Sequence, residues 1–293
     1  MTAPPRPEAA RPGPEAARYA GRAHVRHDGP YPYPGREPGA AGGPAPVLLL
    51  HGLGGDSGQL WAYLDGTGGP GRVAPDLRAH GATSYIGPEA AYTFDGLADD
   101  VIALLDRLGL TAPVVTAGVS MGAGIALNLA LRWPGRVSAL VLVRPAWLDR
   151  PLPPNLAAYP LIAQLLRTHG AAGGLTRFGH SGVHQAVLAE SPSAAASLRG
   201  QFTAPGAAGR AVRLDRMPRS APSPEVTTLR QVRQPALVVG APRDPVHPLA
   251  LAQATAAALP EASLRVVKAR DEDPPGQLAQ IARETARFVQ QVR

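Results

Sequence analysis

From Val47 onward the chain alternates short apolar runs with longer amphipathic stretches. The runs predict strands at Val47 to Leu50, Arg72 to Ala74, Pro113 to Ala117, Ala139 to Val143, Ala236 to Gly240 and Leu264 to Val267. Strands spaced by helical patterns give a mostly parallel central sheet flanked by helices on both faces, an α/β class of fold. The clearest helix follows "YTF": Leu97, Val101, Leu104, Leu105 and Leu108 recur at helical spacing, with Thr93 or Asp95 as its cap. Leu278, Ile281, Ala282, Thr285, Phe288 and Val292 mark a second amphipathic helix at the C-terminus.

Two regions depart from that rhythm. Residues 1–18 are mostly Pro, Ala, Arg and Glu with nothing to bury, which predicts a disordered tail. "RYAGRAHVRHDG" (18–29) then fits a first strand, and 30–45 reads as irregular connection. Residues 146–230 are partly helical and then small, polar and Pro-rich, without a clear strand. They read as a cap inserted between two parts of one core, 19–145 and 231–293, since loops at the carboxyl ends of parallel strands border the ligand crevice.

Composition narrows the function classes. At 293 residues the chain suits one large domain with an insertion, and 33 Gly with 33 Pro make it rich in loops. The net charge of +7 comes from arginines scattered along the chain, Lys268 being the only lysine, and aromatic residues are 5%. That is neither a basic patch nor a base-stacking platform, so no nucleic-acid partner is expected. No run approaches the roughly 18 apolar residues of a membrane span, and no apolar leader precedes the first motif. With no cysteine, disulfides, thiolate chemistry and Cys-based metal sites are excluded, which fits a cytoplasmic protein. No His or carboxylate pair has metal-ligand spacing, and neither metal nor cofactor is expected.

The chemistry centres on Gly118-Val119-Ser120-Met121-Gly122, a G-x-S-x-G between a buried run and a helical pattern. So tight a strand-to-helix turn needs glycines two before and two after the serine, which Gly118 and Gly122 supply. It lifts the hydroxyl above the strand end, beside the N–H groups that open the next helix. Upstream, "LLLHGLGG" (48–55) is a strand running into a Gly-rich turn, and "VAPDLRAHG" (73–81) follows. Gly52-Leu53-Gly54 with Asp76 half-fits a dinucleotide fingerprint, but its third glycine position is Ser57.

"HGLGG", "PDLRAHG", "GVSMG" and "GAPRDPVHP" (240–248), in that order, resemble the α/β-hydrolase fold superfamily over about residues 45–293. The resemblance implies Ser120 as nucleophile and the backbone N–H groups of Leu53 and Met121 as oxyanion hole. Asp244 takes the place of the triad acid. His51, beside Gly52, is expected to brace the oxyanion loop, and His80 to stabilise its own loop with Arg78 and Asp76.

The chain departs from the superfamily at the base. The order should be Ser, Asp, His, with the His after the last strand. No histidine follows His247, and Asp271-Glu272 stand in that loop. Without a base a serine hydroxyl is a poor nucleophile. The candidates are His247, which otherwise belongs to a turn leading into a helix; Glu272 beside Asp244; a cap histidine among His169, His180 and His184; and Lys268. The expected function is therefore a serine hydrolase acting on an ester or other acyl bond of a small apolar molecule, with an atypical base. The alternative is a silent or repurposed member that binds a ligand or catalyses non-hydrolytic chemistry.

Overall fold

The computed structural model describes residues 11–28, 46–64 and 71–292, so the expected connection at 30–45 lies outside the described residues. Seven strands form one sheet: β1 (Val25–Asp28), β2 (Val47–Leu50), β3 (Arg72–Pro75), β4 (Val114–Val119), β5 (Val137–Val143), β6 (Ala236–Gly240) and β7 (Ala262–Val266). Their order is β1-β3-β2-β4-β5-β6-β7, parallel throughout except for β1, which runs antiparallel to β3 at the edge. The last strand begins two residues before the apolar run predicted.

The helices are α1 (Pro14–Ala20), α2 (Phe94–Arg107), α3 (Met121–Arg132), α4 (Ala158–Gly179), α5 (Gly182–Glu190), α6 (Pro192–Thr203), α7 (Val212–Arg216), α8 (Leu249–Ala258) and α9 (Pro274–Gln291). Strand side chains alternate between faces, so each strand feeds two cores. Leu48 and Leu50 of β2 join Leu140 and Leu142 of β5 under α2 and α3. Val47 and Leu49 join Val141 and Val143 against Ile281 and Val289 of α9. Burial on both sides is why these strands read as unbroken apolar runs rather than alternating ones.

Local signals explain most helix ends. Thr93, not Asp95, caps α2, its hydroxyl accepting from Gly96 N at 3.0 Å. Asp273 caps α9 in the same way, from Gly276 N at 2.9 Å. The buried face of α9 centres on Gln277, Ile281, Thr285 and Val289, which leaves the predicted face residue Leu278 41% exposed.

Residues 14–18 are helical rather than a disordered tail, while residues 1–10 of that tail lie outside the described residues. Pro14 opens α1, and Ala16, Tyr19 and Ala20 are buried against α2. The Tyr19 hydroxyl donates to Asp76 O at 3.1 Å, and Glu15 pairs with Arg78 at 3.1 Å. An aromatic anchor, two buried alanines and an ion pair hold a segment whose composition is otherwise that of a linker.

The segment between β5 and β6 holds α4 to α7 and is more helical than its composition suggests. Ile162, Leu166, Phe178, Leu198 and Phe202 join the larger core cluster, so these helices are fused to the main body. Among the described residues no helix is long and apolar enough to cross a membrane.

The topology fixes where chemistry belongs. The chain leaves β2 for β3 on one side and returns to β4 on the other, so strand order reverses between β2 and β4. In open α/β sheets the carboxyl ends of the strands at such a reversal border the ligand crevice. Here those ends lead into His51-Gly52 and Ser120.

Candidate active site

Ser120 sits between β4 and α3 with φ 55° and ψ −111°, a backbone that costs a non-glycine residue about 1–3 kcal/mol. Hydrogen bonds hold it there. Its N–H donates to Val143 O at 3.0 Å, and its carbonyl accepts from Ala123 N at 3.1 Å and Gly124 N at 3.2 Å. A Cβ on Gly118 would overlap the backbone of Gly122, and one on Gly122 would overlap the Leu50 carbonyl. The absence of side chains thus lets β4 turn back over the end of β2.

The loop after β2 is built on buried polar contacts. His51 is 1% exposed; its Nε2 accepts from Leu77 N at 3.0 Å, so Nδ1 carries the proton and donates to Gly52 O at 2.8 Å. Burial holds this imidazole below the usual histidine range, which keeps it neutral. Asp76 accepts from Ser57 N at 2.6 Å and Ala82 N at 2.8 Å, tying "HGLGG" to "PDLRAHG". With 2% exposure and both oxygens engaged, Asp76 has no role as a ribose ligand, which removes the dinucleotide reading. His80 donates through Nδ1 to Arg78 O at 2.8 Å, and burial pushes it well below the usual range. Within the described residues the N–H groups of Leu53 and Met121 find no acceptor.

The loop after β6 brings an imidazole to the serine. Asp244 Oδ1 accepts from Val246 N at 3.1 Å and His247 N at 3.0 Å, which curls the loop around the carboxylate. His247 Nδ1 donates to Oδ2 at 2.9 Å, leaving Nε2 3.0 Å from Ser120 Oγ, where it can accept the hydroxyl proton. Arg144 Nη1 lies 3.4 Å from Oδ2. Burial opposes ionisation of Asp244, but His247, the backbone donors and Arg144 outweigh it and hold the carboxyl well below the usual carboxylate range. "DPVHP" is thus both things at once: a turn into α8, and a turn that aims its imidazole back at the elbow.

The other base candidates are elsewhere. Glu272 is not brought to Ser120 or Asp244; it pairs with Arg243 at 2.8 Å, and both side chains are more than half exposed. Lys268 pairs with Asp273 at 3.1 Å on the surface. His169 and His180 are exposed, and His184 is buried edge-on against Phe178 at 5.1 Å. Asp271 accepts from Ser191 Oγ and, at 2.7 Å, from Ser193 N, so the β7–α9 loop fastens the start of α6.

Ser120 and His247 open into a cavity of about 300 Å³ roofed by Tyr159 of α4 and by Ser197 and Gln201 of α6. The expected substrate is a small apolar molecule, yet the lining is strongly polar: Arg144, Arg243 and Arg270 border the cavity together with Gln59 and Gln201. Composition hid this, because arginines far apart in sequence converge only through the order of the strands. A charged residue directly after a buried parallel strand, as Arg144 follows "LVLV", is the signal that could have found one of them.

Comparison with known proteins agrees with this architecture. A family model described as alpha/beta hydrolase fold matches residues 45–273. The chain is similar to lipase LipV of Mycobacterium tuberculosis, 39% identical over 105 residues, covering 36% of this chain and 38% of that lipase. It thus spans under two fifths of that relative's length. Among solved structures it is similar to a thermophilic esterase from Thermogutta terrifontis, with TM-score 0.67, 22% identity and 92% and 93% of the two chains covered. An enol-lactonase from Burkholderia xenovorans aligns with TM-score 0.64 and 22% identity over 92% and 95%. With the family model spanning strands β2 to β7, the chain belongs to the alpha/beta hydrolase fold family.

Proposed function

We propose that the protein is a serine hydrolase that cleaves an ester or other acyl bond of a small molecule, with Ser120 as nucleophile, His247 as base and Asp244 as the acid that orients it. The observation that carries this reading is the continuous relay from Asp244 Oδ2 through the His247 ring to Ser120 Oγ, at 2.9 and 3.0 Å. Lipase, esterase and enol-lactonase relatives support a hydrolase.

In this mechanism Ser120 Oγ attacks the acyl carbon as its proton passes to His247 Nε2. Asp244 stabilises the imidazolium that forms. Negative charge builds on the former carbonyl oxygen, and the N–H groups of Leu53 and Met121 are the donors for it, the second lying at the N-terminus of α3 where the helix dipole also favours an anion. Collapse expels the leaving group, which takes the proton from His247 and leaves an acyl-serine. Water then attacks that ester with His247 again as base, which releases the acid and restores the serine. The helices α4 to α7 act as the cap that shapes the substrate cavity.

The test is direct. The wild-type protein should react with a fluorophosphonate probe and hydrolyse p-nitrophenyl butyrate, and Ser120→Ala should do neither. A folded wild-type protein that fails on both counts would leave a silent ligand-binding member as the better reading.

A further inference from the structure

We infer that the substrate of this site carries a carboxylate, held by Arg243 and Arg270 at the cavity rim with Arg144 deeper beside the relay; the inference rests on the hydrolase reading above. Three guanidinium groups line the cavity, while Asp244 is the one carboxylate among its lining residues. That carboxylate is already committed to His247 and, more distantly, to Arg144. With Glu272 paired to Arg243 outside the lining, Arg144 and Arg270 still leave the cavity positive, which favours an anionic guest over a neutral one.

The rim arginines are available. Among the described residues Arg243 pairs with Glu272, and side-chain exposures of 53% and 55% leave that pair screened by water and weak. Arg270 donates to a neutral hydroxyl, Ser197 Oγ, at 3.2 Å. Either can exchange its partner for a substrate carboxylate, which the planar guanidinium fork grips with two parallel hydrogen bonds. Deeper in, Arg144 keeps a buried Nε without a partner, although its side chain is only 12% exposed.

Backbone strain points to the same residues. Arg144 (φ 46°) and Arg243 (φ 54°) are left-handed, as is Ser120 (φ 55°), and these are three of five non-glycine residues with positive φ among those described. Such conformations persist where the surrounding structure holds a side chain at a working position. Arg144 directly follows β5 and Arg243 directly precedes Asp244, so both left-handed turns deliver a guanidinium to one cavity, Arg243 at its rim and Arg144 deeper.

Binding can be measured apart from turnover by isothermal titration calorimetry of Ser120→Ala with monomethyl glutarate and with dimethyl glutarate, which differ in one negative charge. The monoester is expected to bind about tenfold tighter or better, the scale of one charge-assisted hydrogen bond. The preference should shrink with added salt. It should also disappear when Arg243→Gln and Arg270→Gln are added, exposed changes that leave the core untouched. Equal affinities, no detectable monoester binding at millimolar concentration, or a preference that survives the two arginine substitutions would overturn the inference. If the preference holds but the wild-type protein hydrolyses neither mono-p-nitrophenyl glutarate nor p-nitrophenyl butyrate, the hydrolase reading fails while the carboxylate site stands.

Discussion

Asp244 and His247 lie three residues apart on one loop, and a 2.9 Å hydrogen bond between their side chains closes that loop on itself. Carboxylate and imidazole therefore travel together after β6. The loop after β7, where the superfamily pattern expects a histidine, is free for other work: Asp271 fastens α6, and Arg270 borders the cavity.

Replacing the acid while keeping its shape tests its orienting role. Asp244→Asn is expected to lower kcat/KM for p-nitrophenyl butyrate by about two to four powers of ten, because an amide NH2 facing Nδ1 favours the tautomer whose Nε2 is protonated. Circular dichroism should show the fold retained. The sign of the pH effect follows from the depressed carboxyl pKa. Its stabilising contribution is full above the ordinary carboxylate value of about 3.9 and is lost as pH falls through the lower folded value. Thermal denaturation should thus separate the wild-type protein from Asp244→Asn most at neutral pH, and the gap should close in strong acid.

The elbow glycines are steric necessities. Gly122→Ala drives a Cβ into the Leu50 carbonyl, and a loss of about 3 kcal/mol or more is expected in urea unfolding. Gly182→Ala, in open space on α5, should change stability by less than about 1 kcal/mol. Similar effects for the two substitutions would contradict the packing described for the elbow.

A buried ion pair underlies the loop that positions His51. Arg78 grips Asp100 through Nε at 2.6 Å and Nη2 at 2.5 Å, with both side chains at most 1% exposed. Asp100→Ala leaves the guanidinium buried without this partner and should cost about 3–5 kcal/mol in urea unfolding. A cost under 1 kcal/mol would mean that Glu15 compensates on its own.

Asp271 is expected to act as a latch rather than as a catalyst. In Asp271→Ala, amide hydrogen exchange should accelerate at residues 191–198, while fluorophosphonate labelling of Ser120 persists. Loss of labelling with unchanged exchange would instead place Asp271 in the chemistry.

The sheet and the elbow were legible because both depend on local patterns: unbroken apolar runs for strands buried on both faces, and glycines at fixed offsets for the turn at Ser120. Asp244 was legible for the same reason, directly past the strand "ALVVG". His247 was legible only as one option among several. Nothing in "DPVHP" tells whether its ring faces solvent or the elbow until the carboxylate of Asp244 captures two N–H groups of its own loop. The ordered helix at Pro14–Ala20 and the arginine-lined cavity stayed hidden because each depends on contacts distant in sequence, Tyr19 with Asp76 and Arg144 with Asp244.

The assignment of the base decides the rest, and the rate of fluorophosphonate labelling at Ser120 in His247→Gln measures it without reference to substrate. If His247 takes the serine proton, labelling should slow by about three powers of ten relative to the wild-type protein, while Glu272→Gln labels at the wild-type rate. Undiminished labelling of a folded His247→Gln protein would show that another group activates Ser120.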